Sequence, residues 1–199
     1  MTKLKYLSYV FCIIFLLNGC SYADSLAKKE LNDTWAESGF ITLGHTLTIQ
    51  NTDNYLTLLD HMDTLASDGL YYASWAGKEK DTNSDTVDQY DVQLYFLLGE
   101  YSDRTIAESN LDQWIATGKV NYDILSEKEI TCNDQLYSLI IYNCSNQEKP
   151  YDRGILASGI YQNTALCIEL TCQKDFEDDL ENILINFLNN CTYSTDSTH

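Results

Sequence analysis

Residues 90–118 read YDVQLYFLLGEYSDRTIAESNLDQWIATG, and an architecture can be built outward from them. Val92, Leu94, Tyr95, Phe96, Leu97 and Leu98 form a run that is apolar on both faces, the signature of a strand buried on both sides. Gly99 to Asp103 turn the chain. Thr105 and Glu108 have the spacing of a capping box, so a helix is expected to start there. Ile106, Ala107, Leu111, Trp114 and Ile115 fall on one helical stripe, and Gly118 stands where a residue just past the helix end would stand. The stretch therefore predicts a buried strand followed by an amphipathic helix that covers it.

Downstream the pattern changes to a meander. Ile124–Thr131 and Leu136–Asn143 read as strands around a tight turn at Asn133-Asp134. A loop from Cys144 to Tyr151 carries Pro150, the only proline. Gly154–Tyr161 and Ala165–Cys172 are the next strands, around Gln162-Asn163. In the second of them Leu166, Ile168, Leu170 and Cys172 are expected inward, and Cys167, Glu169 and Thr171 outward. Asp175 is expected to cap a closing helix with Glu177, Asp178 and Asp179 in its first turn, where the dipole favours acids. Leu180, Ile183, Leu184, Phe187 and Leu188 make its apolar stripe. Residues 192–199 read as a polar disordered tail.

Upstream, the alternation over Phe40–Ile49 predicts a strand. Tyr55, Leu58, Leu59, Met62, Leu65 and Ala66 repeat at helical spacing, predicting a helix capped by Asp53. Asp68-Gly69 turns into an aromatic strand, Leu70–Ala76. The acidic segment 78–91 reads as a solvated loop. Asp81, Asn83 and Asp85 imitate the start of a calcium loop, but Thr86 and Val92 stand where Gly and Glu are needed.

Residues 1–19 have the parts of a signal peptide: Lys3 and Lys5, then the uncharged apolar core Val10–Leu17, too short to span a bilayer. The segment ends Leu17-Asn18-Gly19-Cys20, which resembles a bacterial lipobox, with Asn18 departing from the usual Ala, Ser or Thr. That resemblance implies a lipid-modified N-terminal Cys20 and attachment to the membrane through buried acyl methylenes. Residues 20–38 read as a tether and 39–191 as a single α+β domain. Strand runs flanked by helices imply a mainly antiparallel sheet covered by helices. The run DVQLYFLLGEYSDRTIAESNLDQWI and the end GILASGIYQNTALCIELTCQKDFEDDLENILINFL resemble the Mog1/PsbP-like fold. That group includes the DcrB-like and LpqN-like bacterial lipoproteins. The resemblance implies an α/β/α sandwich and a binding, scaffolding or assembly role, with no shared reaction and no motif residues to carry over.

Acidic residues outnumber basic ones 30 to 12, and two of the basic ones, Lys3 and Lys5, lie in the leader. The formal net charge of −18 argues against nucleic acid, whose phosphates need basic residues, and suits a basic partner or cations. The three histidines, His45, His61 and His199, bring no evident acid–base partner. The sequence has no Gly-x-Ser-x-Gly, phosphate-binding loop or His-Glu-x-x-His, so no catalytic residue, metal ligand or cofactor is assigned. Cys12 lies in the leader. Cys132, Cys144, Cys167, Cys172 and Cys191 match no zinc spacing; they read either as small buried apolar residues or as partly paired, with Cys144–Cys172 the candidate pair. Tyr71, Tyr72 and Trp75 could form an aromatic ligand platform beside the acidic loop. The expected function is a non-enzymatic lipoprotein on the extracytoplasmic face of a bacterial membrane that binds or organises another envelope protein. The alternative is a small-ligand, glycan or cation-binding module built on residues 70–76 and 78–91.

Overall fold

In the computed structural model the described residues are 39–50, 55–62, 69–77, 90–144 and 151–194. The segments read as leader and tether, the calcium-like triplet and residues 195–199 lie outside them.

Among the described residues ten strands and two helices follow in the order β1 (Phe40–Leu43), β2 (Leu47–Gln50), β3 (Thr57–Met62), β4 (Leu70–Ala76), β5 (Val92–Glu100), α1 (Arg104–Lys119), β6 (Tyr122–Cys132), β7 (Gln135–Cys144), β8 (Tyr151–Tyr161), β9 (Thr164–Gln173), α2 (Leu180–Asn189) and β10 (Cys191–Tyr193). β3 to β9 form one seven-stranded sheet, ordered β3-β4-β5-β9-β8-β7-β6, and all its pairings are antiparallel. β1, β2 and β10 form a second, three-stranded sheet. A mainly antiparallel sheet with helices is thus what the chain builds.

The doubly apolar run becomes β5, between β4 and the middle strand β9. Successive side chains go to opposite faces. Val92, Leu94, Phe96 and Leu98 join a cluster with Ile155, Ile168, the small-sheet residues Leu43, Leu47 and Ile49, and the α2 stripe. Leu97 joins a second cluster with Leu70, Ile140, Leu156, Cys167 and the α1 residues Ala107, Leu111 and Trp114. Burial of both faces explains why this segment shows no polar alternation.

Several expectations are corrected. Residues 57–62 of the expected helix 55–66 are strand β3, paired antiparallel with β4 across a register shift between Leu58 and Asp60; 63–66 lie outside the described residues. Apolar side chains at 55, 58, 59 and 62 suit a helix locally, but the open edge of β4 offers ladder hydrogen bonds that local periodicity does not reveal. The single strand expected over 40–49 is a hairpin, because Gly44 adopts a left-handed φ of 59° and ends β1. Any Cβ there would meet Glu100 Oε1 at 2.6 Å. Residues 191–193, partly assigned to the tail, are β10 on the edge of β2. Tyr193 holds that strand by stacking on Tyr161 and by a hydroxyl contact with Tyr137.

Both helices start elsewhere than expected. Asp103, and not Thr105, caps α1 by accepting from Ile106 N at 3.0 Å, while Glu108 pairs with Arg104 at 2.7 Å. The helix runs through Gly118 to Lys119, and Ile106 is 41% exposed, outside the buried stripe. Asp179, and not Asp175, caps α2, accepting from the Glu181 and Asn182 amides, so Glu177 and Asp178 precede the helix. All five residues of the α2 stripe are buried as expected.

Candidate functional site

The face of the sheet that carries α1 also carries a polar row. Tyr95 on β5 stands directly opposite Glu169 on β9. In the next row Gln93, Thr171, Gly154 and Tyr142 lie in register across β5, β9, β8 and β7. Gly154 opens the space that Tyr142 uses: a Cβ there would collide with the Tyr142 hydroxyl. Tyr142 thereby reaches across to Glu169. Tyr122, at the start of β6, reaches the same carboxylate from the end of α1, and its hydroxyl would lie 3.0 Å from a Cβ on Gly118.

Both hydroxyls donate to Glu169 Oε1 at 2.5 Å, and the two phenol rings stack at 3.6 Å with their planes 15° apart. Burial, followed by the charge of Glu169, pushes both hydroxyls well above the usual tyrosine range, so they remain protonated donors. Tyr95 is held protonated by the same two causes and donates to Gln93 Oε1. Tyr72 stacks on Tyr95 at 6.3 Å. Between these groups lies a cavity of about 30 Å³ lined by Tyr72, Tyr95, Trp114, Tyr122, Cys167 and Glu169, together with neighbouring backbone and aliphatic groups. Burial and Glu169 also raise the Cys167 thiol, which makes it a poor nucleophile. A carboxylate walled by aromatic rings is suited to holding positive charge.

A second carboxylate joins the two sheets. Glu100 Oε1 accepts from His45 N at 2.6 Å and Thr46 Oγ1 at 2.7 Å, while Oε2 meets His45 Nδ1 at 2.8 Å. Thr46 also touches Thr164 at 3.3 Å. Burial alone would raise the Glu100 pKa, but the hydrogen bonds from His45 and Thr46 outweigh it and hold the carboxyl below its ordinary range. This group clamps the β1–β2 hairpin onto β5.

The three aromatic residues singled out in the sequence do not share a surface. Trp75 is fully buried and packs edge-on against Phe187 of α2 at 4.8 Å. Tyr71 is half-buried on that same face of β4, edge-on to His45 at 6.4 Å. Tyr72 points to the other face and into the tyrosine cavity. Strand alternation separates neighbours 71 and 72, and the α2 contact removes Trp75 from the surface. Cys20 and the 78–89 loop lie outside the described residues; His61 sits at a β3 register position opposite Ala73. Among the described residues no group of three or more His, Cys, Asp or Glu could hold a metal ion.

Among the described residues Cys132, Cys167, Cys172 and Cys191 are free thiols. Cys144 and Cys172 sit on β7 and β9 with β8 between them, so the Cys144–Cys172 bridge does not form. The cavity residues Tyr95, Tyr122 and Glu169, and Tyr142 that bonds Glu169, were not singled out by sequence as a site. Glu169 carries a usable signal, as the one carboxylate within the otherwise uncharged run 164–172, although alternation alone assigns it to solvent.

The chain is therefore an α+β protein with a mainly antiparallel sheet and a partly open carboxylate–tyrosine pocket. It is similar to the solution structure of cyanobacterial PsbP (CyanoP) from Synechocystis sp. PCC 6803, with a TM-score of 0.45 and 9% identity over 74% of this chain and 86% of that one. At that score and identity the likeness assigns neither family nor function. No protein-family model matches the chain, and no curated protein matches its sequence.

Proposed function

We propose that the chain is a lipoprotein of the Mog1/PsbP-like α/β/α type, held by lipid on Cys20 at the extracytoplasmic face of a bacterial membrane. Its role in this reading is non-enzymatic: it binds or organises another envelope protein. The observation that carries the reading is the sequence of the leader, in which two lysines, an uncharged apolar core and Leu17-Asn18-Gly19-Cys20 follow in order. The assignment of α1 and α2 to separate apolar clusters, with alternate β5 residues in each, supports the three-layer form. The net charge of −18 favours a partner with basic groups. No helix among the described residues is long and apolar enough to cross a membrane.

Membrane fractionation of wild type and Cys20→Ala, with palmitate labelling, tests the anchor. Labelled wild type in the membrane fraction and unlabelled, released Cys20→Ala are expected; equal membrane recovery of both would remove the anchor. Affinity purification of the lipidated protein from detergent-solubilised source membranes then tests the partner, with a stoichiometric envelope protein expected. The second reading, a ligand-binding module around residues 70–76, is favoured by one observation: Tyr72 lines a cavity.

A further inference from the structure

The geometry points to the Glu169 pocket as a binding site for an alkylammonium group, the head of a primary amine or of a lysine side chain. The inference does not depend on the lipid at Cys20; it gives a ligand class to the cavity that Tyr72 lines. Four features converge on it. Both tyrosine hydroxyls donate to Oε1 of Glu169, which leaves Oε2 for another donor. Tyr72, Tyr95, Tyr122 and Trp114 line the same space, so the carboxylate is surrounded by aromatic residues, the side chains that attract a cation. No Lys, Arg or His is among the described lining residues, so the carboxylate has no internal counter-charge. The cavity, about 30 Å³, has room for a small head group such as an ammonium, and it is partly open, so an alkyl chain can extend from it.

The arrangement is built, because glycines make it. Gly154 yields its side-chain space to the Tyr142 hydroxyl, and Gly118 sits against Tyr122. A pocket kept open only by loose packing would not need both phenols aimed at one oxygen. Other ligand classes fit less well. An anion would meet Glu169, a divalent cation would find a single carboxylate, and a neutral apolar group would strip water from Oε2 without replacing it.

The test uses the purified full-length chain in a non-ionic detergent, titrated calorimetrically with n-butylammonium, n-butanol and n-butyrate. Butylammonium is expected to bind at least about tenfold more tightly than butanol, and butyrate not at all. Glu169→Gln, which keeps an acceptor for both phenols, is expected to lose that preference while its melting temperature stays near wild type. A blocked peptide carrying one lysine separates the sources. Tighter binding than butylammonium assigns the pocket to a partner's lysine, and weaker binding assigns it to a free amine. Equal binding of butanol and butylammonium by the wild-type chain, or no binding of either, overturns the inference without reference to any variant.

Discussion

Glu100 shows what a single carboxylate does in this chain. It sits at the end of β5 yet takes hydrogen bonds from the β1–β2 hairpin, so it holds two sheets together. Its pKa is lowered in the folded protein from 4.5, so the folded state binds its proton less readily than the unfolded state. The stabilisation is therefore complete above pH 4.5 and is lost as pH falls through the depressed folded value. Glu100→Gln should lower stability by about 1–3 kcal/mol at neutral pH. The gap between its melting temperature and that of wild type should close on acidification below pH 4.5; a constant gap from pH 3 to 7 would show that the charge is not what holds the hairpin. Gly154 is the second decisive residue. Gly154→Ala places a Cβ against the Tyr142 hydroxyl and 2.9 Å from the Leu170 carbonyl oxygen. A loss of about 1–3 kcal/mol in urea unfolding is expected, with loss of the strong Tyr142–Glu169 contact.

At the scale of elements, the β6–β7 hairpin turns through Asn133 and Asp134, whose φ values of 47° and 61° are both left-handed, as a type I′ turn requires. Asp134→Gly should therefore stabilise the protein by about 0.5–1 kcal/mol in thermal or chemical melts. Asn133 is different, because its side-chain amide donates to the Asn189 and Cys191 carbonyls and ties the hairpin tip to the end of α2 and to β10. α2 is held by its stripe, and Leu184 is fully buried between Phe187, Leu188 and the sheet. Leu184→Asp should cost about 4 kcal/mol or more, since it both empties packed volume and buries an unpaired carboxylate. An unchanged melting temperature would mean that α2 does not cover the sheet.

For the whole molecule, cohesion comes from two apolar clusters sharing one sheet, with no disulfide among the described residues. Burial pushes the Cys167 and Cys191 thiols far above their ordinary range, and Cys132 and Cys172 upward as well. Native alkylation at pH 8 should therefore reach Cys144 first among these five, and denaturation without reductant should expose all five. Peptide mass spectrometry reads both steps; a bridged pair recovered without reductant would overturn this account of the interior.

Much of this was legible in the chain. The double-sided run of β5, the alternation after it and the α2 stripe specify their own elements, because residues within each one carry the pattern that buries it. The turns at 133–134 and 162–163 were legible too, since Asn, Asp and a following strand announce them locally. The two lysines and apolar run that end at Cys20, and the excess of acidic over basic residues, are properties of sequence alone. Tertiary structure decided the rest, where the deciding group is far away in the chain. Residues 57–62 became a strand because β4 offered an edge, and 191–193 became one because β2 did. Trp75 went into the core and Tyr72 into the cavity because adjacent strand positions face opposite ways and α2 covers one of them. Glu169 looks solvent-facing in its own strand, and only the long-range arrival of Tyr122 from β6 and Tyr142 from β7 makes it the centre of a site. Periodicity reports which face a residue takes; it carries no information on what the folded chain brings to that face.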